Sequence, residues 1–254
     1  MSFLAVADTD IGISRNINQD SVLVKHASYS DGEVLMAIVC DGMGGLDKGE
    51  LASAAVIRAF SGWFDNELPH ELVEPDMRII GGKWEYLLKN MNMSIRKYSK
   101  ELHISGMGTT FSGILFINDD YVIAHVGDSR IYYIGSNIKQ LTEDHTVVAR
   151  EVALGNLTPE EARTDKRRNK LTQCIGASGP VKPQIITGKT QKGVYLICSD
   201  GLRHEISDKE MAQAFKPGAM KDEEKIKSSV RSAIELVKKR GERDNISAAL
   251  VKVE

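Results

Sequence analysis

Short apolar runs rich in β-branched residues, each closed by a turn signal, constrain this chain more than any other feature. They cover residues 21–25, 34–40, 110–117, 121–126, 131–134, Gly193–Cys198 and Ile246–Val253. Their length and composition predict strands rather than helices. Asn118-Asp119-Asp120 and Gly135-Ser136-Asn137 read as hairpin loops between them. Other segments follow a helical period. Leu51, Ala52, Ala55, Val56, Ala59, Phe60 and Trp63 form one stripe, and Trp84, Leu87, Leu88, Met91, Ile95, Tyr98 and Leu102 a second. A third uses Ile226, Val230, Ala233, Ile234 and Val237. These spacings predict amphipathic helices lying on a sheet, with a shorter helix at residues 208–215.

Thr158-Pro159-Glu160-Glu161 predicts a helix start: threonine caps, proline suits the first helical position, and Glu161 completes a capping box. It lies within residues 143–177, a helix-and-loop stretch that reads as a surface subdomain between strand-rich regions. No repeat or linker divides the chain, so residues 1–254 are expected to form one α+β domain.

Composition narrows the function classes. An apolar fraction of 42% supports a full core, and a net charge of -2 provides no chain-wide positive field for nucleic acid or an anionic membrane. The apolar run at residues 34–40 is far too short to cross a bilayer. Residues 1–8 lack the basic start of a signal peptide, and the three cysteines are scattered and odd in number. A cytoplasmic setting is expected.

The chemical signal is where the aspartates fall. Residues 34–40 run straight into Asp41-Gly42-Met43-Gly44-Gly45, and residues 121–126 into Gly127-Asp128-Ser129-Arg130. Gly193–Cys198 ends in Ser199-Asp200-Gly201, Asp244-Asn245 precedes the last strand, and Asn18-Gln19-Asp20 leads into another. Singly, each is turn chemistry. Together they put carboxylates at the ends of several strands, where a sheet can gather them. Clustered carboxylates stay ionised only beside a cation. With no clear His/Cys set, oxygen ligands imply a hard ion, Mg²⁺ or Mn²⁺.

The ordered set of Arg15, Gln19-Asp20, the Asp41 glycine run, Gly106-Met107-Gly108-Thr109-Thr110, Gly127-Asp128-Ser129-Arg130, Ser199-Asp200-Gly201 and Asp244-Asn245 resembles the type 2C metal-dependent protein phosphatases, above all their compact bacterial members. The resemblance implies a sandwich of two antiparallel β-sheets flanked by pairs of α-helices, in four layers α-β-β-α, with residues 143–177 as a flap. It implies hydrolysis of phosphoserine and phosphothreonine in proteins by water held between two Mn²⁺ or Mg²⁺ ions, with no phosphoenzyme. By position, Asp41 matches the carboxylate bridging both ions and Gly42 the residue whose carbonyl binds one of them. Asp200 and Asp244 match ligands of the other ion, and Asp20 an acid that holds metal-bound water. Asp128, with Asp200, matches a weaker third site, and Arg15 the arginine that grips substrate phosphate. The implied partners are phosphoproteins modified by a serine/threonine kinase, met by a monomer, with neither nucleic acid nor membrane. The alternative is a catalytically inactive member that binds a partner.

Two positions depart from the family. Gln19 stands where many members have an acid, and Met43 where some have a histidine proposed as general acid. Methionine cannot donate a proton; His145 is a candidate donor, with a structural role as the plainer reading. A cysteine phosphatase needs five residues between its thiolate and its arginine, whereas Cys198 and Arg203 are separated by four. Gly42-Met43-Gly44-Gly45 lacks the Gly-Lys-Ser/Thr ending of a nucleotide loop. Arg167-Arg168-Asn169-Lys170 reads as a solvated basic face, or as a guide for acidic phosphopeptides.

Overall fold

Strand Gly32–Cys40 shows why its sequence is almost unbroken in apolar residues. Alternate side chains point to opposite faces. Leu35, Ala37 and Val39 join a core between two sheets, while Val34, Met36, Ile38 and Cys40 join a core beneath helices. Strands Gly193–Cys198 and Ile246–Val253 do the same in the other sheet. Tyr195, Ile197, Ala249 and Val251 point inward, while Val194, Leu196, Ala248 and Leu250 meet helices on the outer face. A strand covered on both faces has no reason to alternate with polar residues.

The computed structural model describes residues 1–43 and 48–254, so Gly44 and Gly45 of the glycine run lie outside the described residues. The strands are β1 (Phe3–Asp10), β2 (Ser21–Tyr29), β3 (Gly32–Cys40), β4 (Phe111–Ile117), β5 (Asp120–Val126), β6 (Arg130–Ile134), β7 (Ile138–Gln140), β8 (Gln184–Lys189), β9 (Gly193–Cys198) and β10 (Ile246–Val253). They form two antiparallel sheets, ordered β1-β10-β9-β6-β7 and β2-β3-β4-β5-β8. The helices are α1 (Gly49–Asn66), α2 (Leu68–Glu71), α3 (Met77–Glu101), α4 (Val147–Ala153), α5 (Pro159–Thr164), α6 (Asp200–Arg203), α7 (Asp208–Ala214) and α8 (Glu223–Lys239). Helices α1 and α3 cover the second sheet, with Phe60, Trp63 and Trp84 packed edge-on and Phe111 against Phe60. Helices α7 and α8 cover the first through Met211, Ile226, Val230, Ile234 and Val237. The α+β sandwich is the expected fold.

Local chemistry sets the helix ends. The Asp76 carboxylate accepts from the Arg78 and Ile79 amides at the start of α3, and Asp222 accepts from Lys225 at the start of α8. The capping box expected at Thr158 and Glu161 opens α5. Residues 143–177 carry α4 and α5, and bridges Thr146–Leu171 and Thr109–Ile175 tie them down.

Strands β1, β7 and β8 and helices α2, α4 and α6 go beyond the sequence expectations. The strands among them lie at or near sheet edges, where half-burial admits Asp, Thr, Lys and Gln and blurs the apolar run. The short helices follow from turns and tertiary packing, which leave little periodicity to read.

Candidate metal centre

Antiparallel pairing decides where the aspartates meet. Ser21 pairs with Cys40, so Asp20 before β2 lies beside Asp41 after β3. Ala248 pairs with Cys198, so Asp200 after β9 and Asp244 before β10 lie at one end of the other sheet. The two sheet ends face each other closely enough that Asp20, Asp200, Asp128 and Asp244 all act on Asp41.

Asp41 is fixed through its backbone. Its amide donates to Thr110 Oγ1 at 2.9 Å, and its carbonyl accepts from the Thr110 amide at 2.8 Å and from Thr109 Oγ1 at 2.9 Å. The Met43 amide donates to the Gly108 carbonyl. The Gly106-to-Thr110 motif is therefore a clamp that aims Asp41. Gly42 is confined on its Cα: a Cβ would lie 2.3 Å from the Gln19 carbonyl oxygen and 2.8 Å from that of Gly49. Gly201 has a similar reason, since a Cβ there would reach within 2.1 Å of the Asn245 carbonyl oxygen. Only glycine lets α6 seat against the turn that carries Asp244.

That turn also holds the N-terminal loop. Asn245 is buried; its Oδ1 accepts from the Gln19 amide, and its Nδ2 donates to the Ile11 and Ile17 carbonyls. The loop delivers Arg15, whose Nη2 donates to Asp244 Oδ2 at 2.9 Å. The same Arg15 also feels Asp41 and Asp200. Glu242 Oε1 accepts from the Arg243 and Asp244 amides. Its other oxygen lies 3.5 Å from His204, whose far nitrogen lies 3.5 Å from Asp200. Glu242, His204 and Asn245 support the centre without having been singled out for a role from sequence. Their spacing alone gives no signal, because each acts through a contact between distant segments.

The electrostatics of the centre favours positive charge. Burial, then the facing carboxylates, pushes Asp41 well above the usual carboxylate range, although the residue as a whole keeps some solvent contact. Burial, with Asp200 and Asp244 opposite, pushes Asp20 up to about 7. The Ser247 and Ser199 hydroxyls are near enough to oppose that rise, yet neither completes a hydrogen bond: Asp20 Oδ1 and Oδ2 are buried without a partner, as is Asp200 Oδ1. Such oxygens are costly unless something positive meets them. Among these acids Arg15 pairs with Asp244 alone, and His204 lies 3.5 Å from Asp200. The donor set, all oxygen with unmet charge, fits hard divalent cations. Among the described residues, no three His, Cys, Asp or Glu side chains already form a ligand group.

Asp128 is placed differently. It is buried and pushed up to about 7 by burial and by Asp200, but Arg203 Nη2 lies 3.3 Å from its Oδ2. His145 is held structurally: its Nδ1 accepts from the Gly127 amide and its own amide donates to the Gly127 carbonyl. Burial lowers its pKa, which suits a fixed neutral ring. Cys198 is enclosed, with its thiol pushed up to about 12 by burial, so it is no thiolate nucleophile.

Known proteins resemble the chain along nearly its whole length. The sequence profile of the family described as Protein phosphatase 2C matches residues 13–251. Protein phosphatase PhpP of Streptococcus pneumoniae is 31% identical over 246 residues, covering 96% of this chain and 94% of its own. The structure of the S. agalactiae serine/threonine phosphatase superposes with a TM-score of 0.86 at 30% identity, covering all of both chains. The catalytic domain of the serine/threonine protein phosphatase PstP, in complex with 2 manganese ions, gives a TM-score of 0.77 at 30% identity over 98% of this chain and 97% of that one.

Proposed function

The chain belongs to the protein phosphatase 2C family and is a metal-dependent serine/threonine protein phosphatase, and on that premise we propose that Asp41, Asp200 and Asp244, with the Gly42 carbonyl, hold two divalent cations at the end of the sandwich. The observation that carries this assignment is the set of buried, unpartnered oxygens on Asp20 and Asp200 facing a crowded Asp41. Mn²⁺ or Mg²⁺ bound there would acidify water and neutralise charge on the phosphoryl oxygens.

The chain's own groups supply the rest. Thr109 and Thr110 fix the Asp41 backbone, so the carboxylate is aimed before any ligand arrives. Asp20 lies behind Asp41 with both oxygens free to accept, a position suited to orienting water. Arg15 is about one-third exposed at the mouth of the centre, where its planar fork can take two phosphate oxygens. Gln19 donates to Glu50 through Nε2 and adds no charge. Phosphoproteins modified by a serine/threonine kinase are the proposed substrates, and a cytoplasmic monomer the proposed form. The buried free thiols Cys40, Cys174 and Cys198 suit a reducing compartment. No helix among the described residues is long and apolar enough to cross a membrane. The inactive-member alternative gains no support, since Asp41, Asp200 and Asp244 are all present and face one another.

The test is phosphate release from a phosphothreonine peptide with and without Mn²⁺, paired with calorimetric Mn²⁺ titration. Wild type should take up Mn²⁺ and turn over only when loaded, and Asp41→Asn should lose both. Turnover in excess chelator, or undiminished uptake by Asp41→Asn, would remove the assignment.

A further inference from the structure

Helix α6 carries opposite charges at its two ends. Asp200 opens it and faces the aspartate centre; Arg203 closes it three residues later and turns to Asp128. The Arg203 guanidinium is almost buried. Its Nε donates to the Asp128 carbonyl at 3.2 Å, and its Nη2 lies 3.3 Å from Asp128 Oδ2 and 3.8 Å from Asp144 Oδ2. Arg130 completes the group: its Nε and Nη2 donate to Asp144 Oδ1 and Oδ2 at 2.8 and 2.7 Å, and Gln140 Nε2 donates to Oδ1 at 3.0 Å. Two carboxylates thus meet two guanidiniums: Asp128 Oδ2 and both oxygens of Asp144 are partnered, and neither residue has an oxygen buried without a partner. The aspartate centre next to it has the opposite character, with unmatched acids and orphaned oxygens.

We propose that Arg203 is a built-in cation that takes the place of a third divalent ion at Asp128, making Asp128 a strut between α6 and the start of residues 143–177 instead of a metal ligand. An ion drawn to the Asp128 carboxylate would have to expel the guanidinium from Oδ2, or bind beside it against its repulsion. Expelling it would also strip the Asp128 carbonyl of its donor and Asp144 of its second guanidinium. A guanidinium is a fixed charge that cannot be titrated away in a protein and is more weakly hydrated than an ammonium, so the buried position suits it. Asp144 is followed by His145, which is bonded to Gly127 through both its ring and its amide. The strut therefore joins the helix that carries Asp200 to the root of the flap.

This inference rests on the reading of Asp41, Asp200 and Asp244 as cation-holding residues, and calorimetric Mn²⁺ titration of the full chain separates the two. In otherwise wild-type protein, Asp128→Asn should leave the number of bound Mn²⁺ ions unchanged. Arg203→Gln should gain one further, weaker ion, and adding Asp128→Asn to that variant should remove it. Loss of an ion from the Asp128→Asn single variant would overturn the inference while leaving the main centre intact. A folded Arg203→Gln, verified by its melting transition, that gains no ion would overturn it too. If Arg203→Gln does not fold, the Asp128→Asn comparison decides alone. Absence of any Mn²⁺ uptake by wild type would sink the metal assignment and this inference with it.

Discussion

Arg15 Nη2 and Asp244 Oδ2 lie 2.9 Å apart, joining positions 229 residues apart in the chain. The guanidinium proposed to grip phosphate thus rests on an acid proposed to hold a cation. Arg15→Ala should lower kcat/KM toward a phosphothreonine peptide about 10- to 100-fold, since hydrogen bonds to charged groups are worth about 1.5–3 kcal/mol each. Mn²⁺ uptake should survive. Steady-state kinetics beside calorimetry checks both, and parallel loss of the two would make Arg15 a support for Asp244 instead.

Asn245 is the hub of the N-terminal loop. Asn245→Ala would leave the Gln19 amide and the Ile11 and Ile17 carbonyls without their partner. At roughly 1 kcal/mol for each lost bond, destabilisation of about 2–4 kcal/mol is expected in urea unfolding. Activity should fall further than stability explains, because the loop carries Arg15. Loss of stability with unaltered kinetics in the folded fraction would contradict that coupling.

Cations should stabilise the fold by relieving repulsion. Saturation with Mn²⁺ should raise Tm and EDTA should reverse the rise; ligand at 100 times Kd is worth about 2.7 kcal/mol. Asp41→Asn should melt at or above the wild type in EDTA, since an amide removes the carboxylate most crowded by Asp20 and Asp200. The same variant should show little Mn²⁺-dependent shift. Scanning calorimetry of the four samples decides.

His125 provides a pH signature. Its Nε2 lies 3.0 Å from the Gly127 carbonyl, which can only accept, so that nitrogen carries the proton, and Nδ1 meets Ser112 Oγ at 2.9 Å. Burial, aided by nearby His145, lowers the His125 pKa to about 3. In the unfolded chain the ring takes a proton near its ordinary 6.5, so the unfolded state binds more protons between about pH 6.5 and 3. Stability from this residue therefore falls as pH drops through that window, by an amount of order a few kcal/mol. The raised aspartates titrate with the opposite sign in an overlapping range. The comparison is accordingly wild type against His125→Asn at each pH, with NMR showing the ring neutral near pH 5. A ring that protonates near pH 6 in the folded state would refute it.

The basic run within residues 143–177 is split. Arg167 is paired with Asp165, while Arg168 and Lys170 are exposed. Neutralising Arg167, Arg168 and Lys170 together should raise KM for an acidic phosphopeptide severalfold, with no change for a small aryl phosphate and with the effect fading at high salt. Equal effects on both substrates would argue against steering.

Legibility in the sequence followed burial. Strands β3, β4, β5, β9 and β10 were readable because covering on both faces leaves an unbroken apolar run. Strands β1 and β8 were not, because an edge position tolerates Asp, Thr, Gln and Lys among the apolar residues. Asp41, Asp200 and Asp244 were visible as turn acids next to strands; Glu242 and His204 were not, and Asn245 was visible beside Asp244 but without a role. Nothing in local sequence distinguishes an asparagine that fills a turn from one that fastens a distant loop.

Taken alone, the sequence determined which segments become the strands covered on both faces and which acids stand at their ends. Those are local matters of backbone sterics and apolar period. Only the tertiary structure decided that the ends of two sheets face each other, that Arg15 reaches Asp244, and that Arg203 rather than solvent meets Asp128. Such pairings depend on strand order and on what burial removes from water, and neither is a property of any single stretch of chain.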